Sequence, residues 1–359
     1  MIVHFKYQQL YSSHYSNSLI IYIMLNSILF RIYMMSLIYT HSSASKLLSS
    51  FLLIAGLSVY SIANGQTNWK DVSNQFGSLP SSIKVLKSDE FLDGSPSIMF
   101  VATIKAKDHV KHFFVDTASR RRLTPSQYFT RNEQPLVVVN CSFFEFVQNR
   151  NVNLIVQNSK MVGFDTPAVS RKGRDTLTYA HTLGSAFGIF KNGKMDIAFN
   201  YNDSGMAVPY VLQSPYAPMI DSVRKLDFKH PSLAGLKPWK VRHAFGGGPV
   251  LVQAGQVKIS NNEEKKFAGK AIADKHPRTA IGYTKDGTMI ILAIQGRMKG
   301  LAEGATLPQM AKIMVDLGCV EAMNLDGGGS SCMLINGKET IKPSDPNGQR
   351  PVPAVLVIQ

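Results

Sequence analysis

Short runs of apolar residues, bounded by polar or glycine-containing turns, fill most of the chain after residue 97. Runs of this length with turn residues on both sides predict β-strands. Two-residue turns join several runs into predicted hairpins, because Asn-Gly and Asp-Gly favour the backbone that such turns need; the turns are 192–193, 254–255, 286–287 and 336–337. The predicted strands are 98–105, 112–116, 136–140, 187–190, 195–199, 250–253, 257–260, 279–284, 289–295, 320–325, 332–335 and 354–358.

One stretch, TLPQMAKIMVDLG, has the helical period instead. It begins with Thr306 and has Gln309 three residues later, which is the pattern of a capping box. Pro308 falls in the first turn, where its missing N–H is not needed, and Gly318 stands at the end. The sequence therefore predicts an amphipathic helix between Thr306 and Gly318.

These patterns together predict an α+β fold, with a mixed, largely antiparallel sheet core and a few packed helices. Residues 64–89 look like a polar lead-in. Neither an internal repeat nor a shift in composition divides residues 90–359, so we expect them to form a single domain.

The N-terminal region differs from the rest. Residues 1–63 contain no Asp or Glu, and their apolar stretches are 19–30 and 47–62. The second stretch follows Lys46 and ends in Ser-Ile-Ala, the layout of a secretory signal peptide; Met34 or Met35 would start it, and the residues before would be an over-long N-terminal extension. An uncleaved membrane anchor is the competing interpretation, although both stretches are short for a span of ~20 residues. We expect a secreted, periplasmic or cell-envelope protein.

The net charge limits the classes of binding partner, and the cysteine count limits the disulfide bonds. Removal of residues 1–63 takes three positive charges from the formal net charge of +15 and leaves +12. A basic surface attracts anionic partners, but the cations are scattered, with one run at 120–122, and an export signal argues against nucleic acid. Membrane contact is expected only if the N-terminal segment stays uncleaved.

Three cysteines cannot form a complete disulfide framework; a single Cys319–Cys332 bridge is the alternative.

The stretch NLDGGGSS, residues 324–331, carries the candidate chemistry. Three consecutive glycines cost backbone entropy that a simple turn would not require. The stretch lacks the Gly-Lys-Ser/Thr ending of a P-loop and the G-x-G-x-x-G spacing of dinucleotide sites. What remains is a row of backbone N–H groups able to form an anion-binding nest, with Asp326 aimed from a strand end. The alternative is a tight turn with a solvated aspartate.

Six ordered motifs resemble those of the phosphodiester glycosidase family. They are N-x-x-F-F at 140–144, GGGP at 246–249, RTAIG at 278–282, the TLPQMA helix start, NLDGGGSS at 324–331 and PSD…RPV at 343–352. The resemblance covers roughly residues 90–359. It implies a single catalytic domain that hydrolyses the C1–oxygen bond of a sugar 1-phosphodiester, with an anionic phosphorylated carbohydrate as substrate, such as a GlcNAc-1-phosphodiester or a glycopolymer fragment.

The implied reaction needs a carboxylate, and Asp326 is the predicted one. Glycoside hydrolysis normally uses two carboxylates, one of which protonates the departing oxygen. A phosphate monoester is a weak base, with a second pKa near ~6, so one carboxylate can serve as base or nucleophile. Glu303 and Glu145 are the candidates for a second catalytic carboxylate; the alternative is that both are solvated.

Substrate-binding candidates lie in the same motifs. Arginines would hold the phosphate, glycine amides would contact it, and Asn324 would bind a sugar hydroxyl or orient Asp326. For Arg278 the alternative is a surface ion pair, for Asn140 it is a role in holding the loop, and for Asp345 with Arg350 it is a structural ion pair. The full set is Asn140, Gly247, Gly248, Arg278, Asn324, Gly327, Gly328, Gly329, Ser330, Asp345 and Arg350.

Some features leave the chemistry open. No spacing of Cys and His predicts a zinc site, and we predict no cofactor, with a divalent cation bound through oxygens as the open alternative. The family pattern has small residues where Cys141-Ser142 stand, a Thr or similar residue where Cys332 stands, and an acid at Gln295. Two further functions therefore stay open: a non-catalytic phosphoglycan-binding envelope protein, and a structural envelope protein tethered by residues 1–63.

Overall fold

The computed structural model describes residues 67–109, 112–166, 168–170, 177–223, 225–227, 229–230 and 233–359. Residues from Thr67 to Gln359 group into one unit. The signal peptide or anchor predicted for residues 1–63 lies outside the described residues. Within the described part, none of the helices is long and apolar enough to cross a membrane.

Strands dominate the described residues, as the short apolar runs predict. In chain order they are β1 (Lys70–Asp71), β2 (Ile83–Ser88), β3 (Met99–Lys105), β4 (Phe113–Thr117), β5 (Val137–Asn140), β6 (Phe144–Glu145), β7 (Arg150–Asn151), β8 (Ile155–Gln157), β9 (Lys160–Gly163), β10 (Val169–Ser170), β11 (Tyr179–His181), β12 (Gly184–Ile189), β13 (Met195–Tyr201), β14 (Tyr210–Leu212), β15 (Met219–Asp221), β16 (Lys237–Pro238), β17 (His243–Gly246), β18 (Val250–Gln253), β19 (Gln256–Val257), β20 (Arg278–Thr284), β21 (Thr288–Ile294), β22 (Cys319–Asn324), β23 (Met333–Ile335), β24 (Lys338–Glu339) and β25 (Ala354–Ile358). The helices are α1 (Ala106–His109), α2 (Pro125–Arg131), α3 (Asn261–Glu264) and α4 (Leu307–Asp316), with 3-10 turns at Ser73–Phe76 and Gly328–Ser330. Each predicted strand overlaps an observed one, so a sheet-rich fold with few helices is confirmed.

Three large sheets contain most of these strands. Sheet A has the order β1-β2-β3-β21-β20-β22-β18-β19, sheet B the order β16-β14-β13-β12-β17-β8-β9, and sheet C the order β24-β23-β5-β25-β4. Smaller sheets are β10-β11-β15 and β6-β7. Every pairing among the described strands is antiparallel. The mixed character predicted for the sheet is therefore not seen there. Tight hairpins account for some of these pairs, and strands far apart in the sequence, such as β3 and β21, also pair antiparallel.

Local turn and cap signals are confirmed. The four predicted turns connect β12 to β13, β18 to β19, β20 to β21 and β23 to β24. In the last of them Asn336 and Gly337 have φ of 46° and 75°, as this kind of turn requires. Thr306 caps the N-terminus of helix α4: its hydroxyl accepts from the Gln309 amide, and the Gln309 side chain accepts from the Thr306 amide.

The inner faces of sheets A, B and C form one large core. Alternate residues of β3 point to opposite sides: Phe100 joins this core with Phe187 of sheet B and Leu356 of sheet C, whereas Met99 faces the other side of sheet A. There helix α4 covers the sheet with Met310 and its neighbours. Central strands of sheet A are thus buried on both faces, which explains their continuous apolar sequences.

Strand β2 and helix α2 have no counterpart among the predicted elements. Strand β2, with sequence IKVLKS, lies within residues 64–89 but pairs along its whole length with β3 in sheet A. Thr124 caps the N-terminus of helix α2 and forms, with Gln127, the same capping box as in α4. Both signals are short, and the lysines of β2 obscure its apolar face.

The three cysteines are buried free thiols. Cys319 packs with helix α4 on the outer side of sheet A, and Cys332 packs in a separate cluster with helix α2 on sheet C. The alternative bridge between them is therefore not formed.

Candidate active site

Residues 326–331, which follow strand β22, form a bend that we call the glycine bend. Asn140, at the end of β5, holds this bend in place. The Nδ2 of Asn140 donates to the carbonyl of Asp326 at 2.6 Å, and its Oδ1 accepts from the Thr279 hydroxyl and the Cys332 amide, each at 3.0 Å. Asn140 is buried. Its side chain thus links β5 and β20 to both ends of the bend. Its Oδ1 already accepts two hydrogen bonds from the protein.

Most amides of the glycine bend have acceptors inside the protein. They donate in five hydrogen bonds of 2.8–3.2 Å: Asp326 to the Cys141 carbonyl, Gly327 to Asp326 Oδ1, Gly328 to the Pro277 carbonyl, Ser330 to the Gly327 carbonyl and Ser331 to the Gly328 carbonyl. Gly329 has the one amide between residues 327 and 331 for which the described residues supply no acceptor. The nest expected from the sequence is thereby reduced to a single N–H, because the Asp326 carboxylate, Pro277 and the 3-10 turn occupy the others.

Two guanidinium groups lie against the glycines of the bend. A Cβ built on Gly328 would fall 2.8 Å from Nη2 of Arg297, and one built on Gly329 would fall 2.9 Å from Nε of Arg350. Side chains therefore do not fit at these positions while the arginines keep their places. The glycines are needed because they let two cations approach the backbone closely. Sequence reasoning missed Arg297; its place two residues after a predicted strand end was the available signal.

Asp326 is half-buried beside these cations. Burial raises the pKa of Asp326 to about 6, and the Ser330 hydroxyl, the Gly327 amide and the Arg350 guanidinium oppose that rise. A carboxyl group with a pKa close to neutrality is suited to exchange protons during a reaction. Its setting thus differs from that of a fully solvated turn aspartate.

The second glycine run, residues 246–249, packs on the strand that leads to Asp326. The Gly248 amide donates to the Asn324 carbonyl at 2.7 Å, and the Asn324 Nδ2 donates to the Gly248 carbonyl at 2.8 Å. The Gly247 amide donates to the carbonyl of Ser185 at 3.0 Å. The structure therefore brings the two glycine runs together, but both predicted amides of the second run are used in packing.

Glu264 fixes the other side of Gly248, and sequence reasoning missed it. Its carboxylate accepts from the amides of Ser185 and Val250 and from the hydroxyls of Ser185 and Ser260, at 2.6–3.0 Å. Burial raises the pKa of Glu264, and the charge of Lys266 opposes this rise. An acid in the short polar sequence NNEE carries no pattern that would single it out.

Arg278 directs its guanidinium group to backbone carbonyls. Its Nε donates to Ala305 at 3.0 Å and its Nη2 donates to Asp274 at 2.8 Å, while its Cζ lies 5.7 Å from the ring centroid of Phe267. The side chain is buried, and burial lowers the pKa of Arg278 to about 10. These contacts tie three backbone segments together and are not a surface ion pair; the phosphate contact of Arg278 stays a prediction.

Asp345 holds Arg350 in its position against the bend. The Nε of Arg350 lies 2.9 Å from Oδ2 of Asp345, and both side chains are largely shielded from solvent. This hydrogen bond holds the pKa of Asp345 below its usual range, and the charge of Arg297 adds to the effect. The ion pair considered from the sequence thus exists, and one of its members also lies against Gly329.

The two candidates for a second carboxylate differ in their surroundings. Glu145 accepts from the amides of Val147 and Gln148 at 2.5 and 2.9 Å, so both of its oxygens stabilise its own turn. Glu303 is half-buried, and its carbonyl accepts from the Arg297 amide at 3.4 Å. Glu303 is therefore the one of the two whose backbone contacts an arginine of the site. No group of three or more His, Cys, Asp and Glu side chains converges within the described part of the chain.

Known proteins share parts of this sequence. Residues 133–359 match the family model described as "Phosphodiester glycosidase". The SPbeta prophage-derived uncharacterized protein YomE of Bacillus subtilis (strain 168) is 44% identical over 64 residues, which are 18% of this chain and 10% of that protein. The N-acetylglucosamine-1-phosphodiester alpha-N-acetylglucosaminidase of Mus musculus is 28% identical over 107 residues, 30% of this chain and 20% of that protein. These matches span a tenth to a fifth of the relatives' lengths.

The fold is also shared with a solved structure. The catalytic domain of zebrafish N-acetylglucosamine-1-phosphodiester alpha-N-acetylglucosaminidase, auto-inhibited by its pro-peptide, is similar with a TM-score of 0.52 and 20% identity. The similarity covers 84% of this chain and 90% of that chain. At this identity it shows the architecture alone.

Proposed function

We propose, on the basis that the chain belongs to the phosphodiester glycosidase family, that it hydrolyses the C1–oxygen bond of a sugar 1-phosphodiester. The family match confirms the resemblance found in the ordered motifs. The observation that carries the proposal is the position of half-buried Asp326 at the start of a bend against which Arg297 and Arg350 lie.

The phosphate is the part of the substrate that these cations fit. A phosphodiester carries one negative charge, and breaking the C1–oxygen bond places a second charge on the departing phosphate. Guanidinium groups fixed beforehand stabilise such charge as it develops, and the fork of N–H donors on arginine matches phosphate oxygens. Arg297, Arg350 and the Gly329 amide are the donors available for this purpose.

Asp326 would act at the anomeric carbon. It either removes a proton from the attacking water or attacks C1 itself, and both routes need its ionised form. The departing phosphate is a weak base, with a second pKa near ~6, so a strong general acid is not required. Glu303 is the proposed second carboxylate, because its backbone lies beside Arg297.

The substrate class follows from the same chemistry. The mouse relative's name describes a glycosidase of N-acetylglucosamine 1-phosphodiesters, and we extend this class to the present chain, with a GlcNAc-1-phosphodiester or a glycopolymer fragment as substrate. Export fits a glycopolymer substrate and is supported by the apolar stretch 47–62 and by the Ser-Ile-Ala sequence that ends at residue 63. N-terminal sequencing of the processed soluble protein after cell fractionation tests this point; recovery of only an uncleaved membrane-bound form would favour a tethered protein.

The reaction is tested with the methyl diester of GlcNAc 1-phosphate in water enriched in ¹⁸O. Cleavage at C1–oxygen yields GlcNAc and unlabelled methyl phosphate, whereas cleavage at phosphorus on the sugar side puts ¹⁸O into methyl phosphate. Cleavage on the methyl side releases GlcNAc 1-phosphate instead. Phosphorus NMR distinguishes all three outcomes, and the proposal requires unlabelled methyl phosphate.

Asp326→Asn and Asp286→Asn form the matched pair of variants. Asp286 lies in a hairpin turn, where Thr284 and Thr288 bond its carboxylate. We expect Asp326→Asn to lower kcat about 10²- to 10⁴-fold and Asp286→Asn to behave as wild type. Equal turnover by both variants would remove Asp326 from the mechanism, and binding of the diester without cleavage would identify a non-catalytic phosphoglycan-binding protein.

A further inference from the structure

The hairpin of β6 and β7 presents an exposed aromatic ring next to the residues around the glycine bend. Phe146, at the tip, is 54% exposed, and its ring centroid lies 4.6 Å from that of Phe144. The carboxylate of Glu145 accepts from the amides of Val147 and Gln148 and holds the tip in shape. Phe146 is thus an apolar surface in a fixed position, open to a ligand.

Two guanidinium groups lie near the ring of Phe146. The Cζ of Arg350 is 5.6 Å from the ring centroid, and the Cζ of Arg122 is 5.2 Å from it. Because Arg350 also lies against Gly329, the contacts run in order from the glycine bend through Arg350 and Phe146 to Arg122. Arg122 is therefore one step further from Asp326 than the proposed phosphate site.

The charge of Arg122 is not matched by a neighbouring acid. Asp345 pairs with Arg350, but no acidic side chain pairs with Arg122 among the residues that the structure describes. A guanidinium group left without a counter-ion beside an exposed ring can bind an anion by paired N–H donors. The ring itself can cover the apolar C–H face of a sugar.

A cavity next to the same hairpin is lined by polar side chains. Arg120, at the start of the arginine run 120–122, lines a cavity of about 510 Å³ together with Asn149 and Asn151. The Oδ1 atoms of these two asparagines are buried and have no hydrogen-bond partner among the described residues. A cavity lined by asparagines and an arginine suits the hydroxyl groups and negative charges of a saccharide.

We propose that Phe146 and Arg122 form the subsite for the leaving group, and that this subsite takes an anionic saccharide, a sugar with its own phosphate or carboxylate. The inference rests on the proposed function. In a sugar 1-phosphodiester the order of groups is C1, bridging oxygen, phosphate, leaving group. With C1 at Asp326 and the phosphate at Arg350, the group beyond the phosphate meets Phe146 and then Arg122.

The test compares three diesters of GlcNAc 1-phosphate that differ in the leaving group. The alcohols are methanol, the 6-hydroxyl of methyl glucoside and the 6-hydroxyl of glucose 1-phosphate. We expect kcat/KM of the wild-type full chain to rise in this order. Arg122→Gln should remove the preference for the anionic sugar over the neutral one, a change of about tenfold, and Phe146→Ala should remove the preference for the neutral sugar over methanol.

Arg131→Gln is the matched control, because the contacts of Arg131 are with Asp116 and the Thr117 carbonyl and not with this hairpin; it should keep all wild-type ratios. Thermal unfolding of each variant checks that the fold is intact. Equal kcat/KM for the three diesters in the wild type, or unchanged ratios in Arg122→Gln, would overturn the subsite alone. Cleavage of none of the diesters by the wild type would overturn the proposed function and the subsite with it.

Discussion

Arg350 lies directly against Gly329, so that a Cβ added at residue 329 would fall 2.9 Å from Nε and closer still to Cζ and Nη2. We therefore expect Gly329→Ala to displace this guanidinium group from the proposed phosphate site. The loss of one paired donor to a developing charge should lower kcat/KM for the methyl diester at least about tenfold. Initial rates measured at several substrate concentrations check this expectation.

Gly205→Ala is the control for the added methyl group. Gly205 is exposed, its φ lies outside the left-handed region, and a Cβ there would lie 3.3 Å from Oδ1 of Asp203. This variant should keep the wild-type kcat/KM. Wild-type kinetics in Gly329→Ala would mean that the position of Arg350 does not matter for the reaction.

Replacing Arg278 by lysine should mainly lower stability, whereas replacing Arg297 by lysine should mainly lower kcat/KM. Arg278 is buried and bonded to two backbone carbonyls, so Arg278→Lys should lower the free energy of unfolding by about 1.5–3 kcal/mol. Arg297 is exposed beside Gly328, so Arg297→Lys should change stability by less than about 0.5 kcal/mol but lower kcat/KM. Urea denaturation and initial rates measure the two effects; the opposite division would make Arg278 the phosphate ligand.

The pKa of Asp326 predicts how stability depends on pH. The folded-state pKa, about 6, lies above the ordinary value of 3.8. Between these values the folded protein binds more protons than the unfolded chain, so this carboxyl group lowers stability as pH rises from about 4 to about 6. Asp326→Asn removes this contribution. Its free energy of unfolding relative to wild type should therefore increase by about 1–3 kcal/mol between pH 4 and pH 7.

Urea denaturation of both proteins at pH 4, 5.5 and 7 checks this prediction, and a constant difference across the range would contradict it. The same ionisation should appear in the kinetics. Because both proposed routes use the ionised carboxylate, kcat/KM of the wild type should rise with pH through about 6.

The elements that the sequence predicted well are those specified by local chemistry. The Asn336-Gly337 turn and the Thr306 cap each depend on a few neighbouring residues, and both formed as expected. Strand β2 was missed because its apolar face becomes evident only through pairing with β3.

The parts of the site that could not be predicted depend on contacts between distant segments. Arg278 shares a strand face with Ala280, which packs toward helix α4, whereas Thr279 faces the other way and reaches Asn140. The motif RTAIG alone does not reveal which of its residues face helix α4 and which face Asn140. Likewise, the amide of Gly328 is used by the Pro277 carbonyl, and the glycine run alone cannot reveal that acceptor.

One buried amide group, that of Asn140, supports the whole glycine bend. In Asn140→Asp a carboxylate oxygen replaces Nδ2 and faces the carbonyl of Asp326, where the donor now lies at 2.6 Å. The unmatched, buried acceptor should lower the free energy of unfolding by about 2–4 kcal/mol, and the shift of Asp326 should lower kcat/KM as well. Asn192→Asp is the control, since exposed Asn192 uses only its Oδ1 to accept from the Lys194 amide. Urea denaturation should separate the two variants clearly. If Asn140→Asp were as stable as Asn192→Asp, the support of the bend would have to come from the backbone contacts of Asp326 and Cys332 instead.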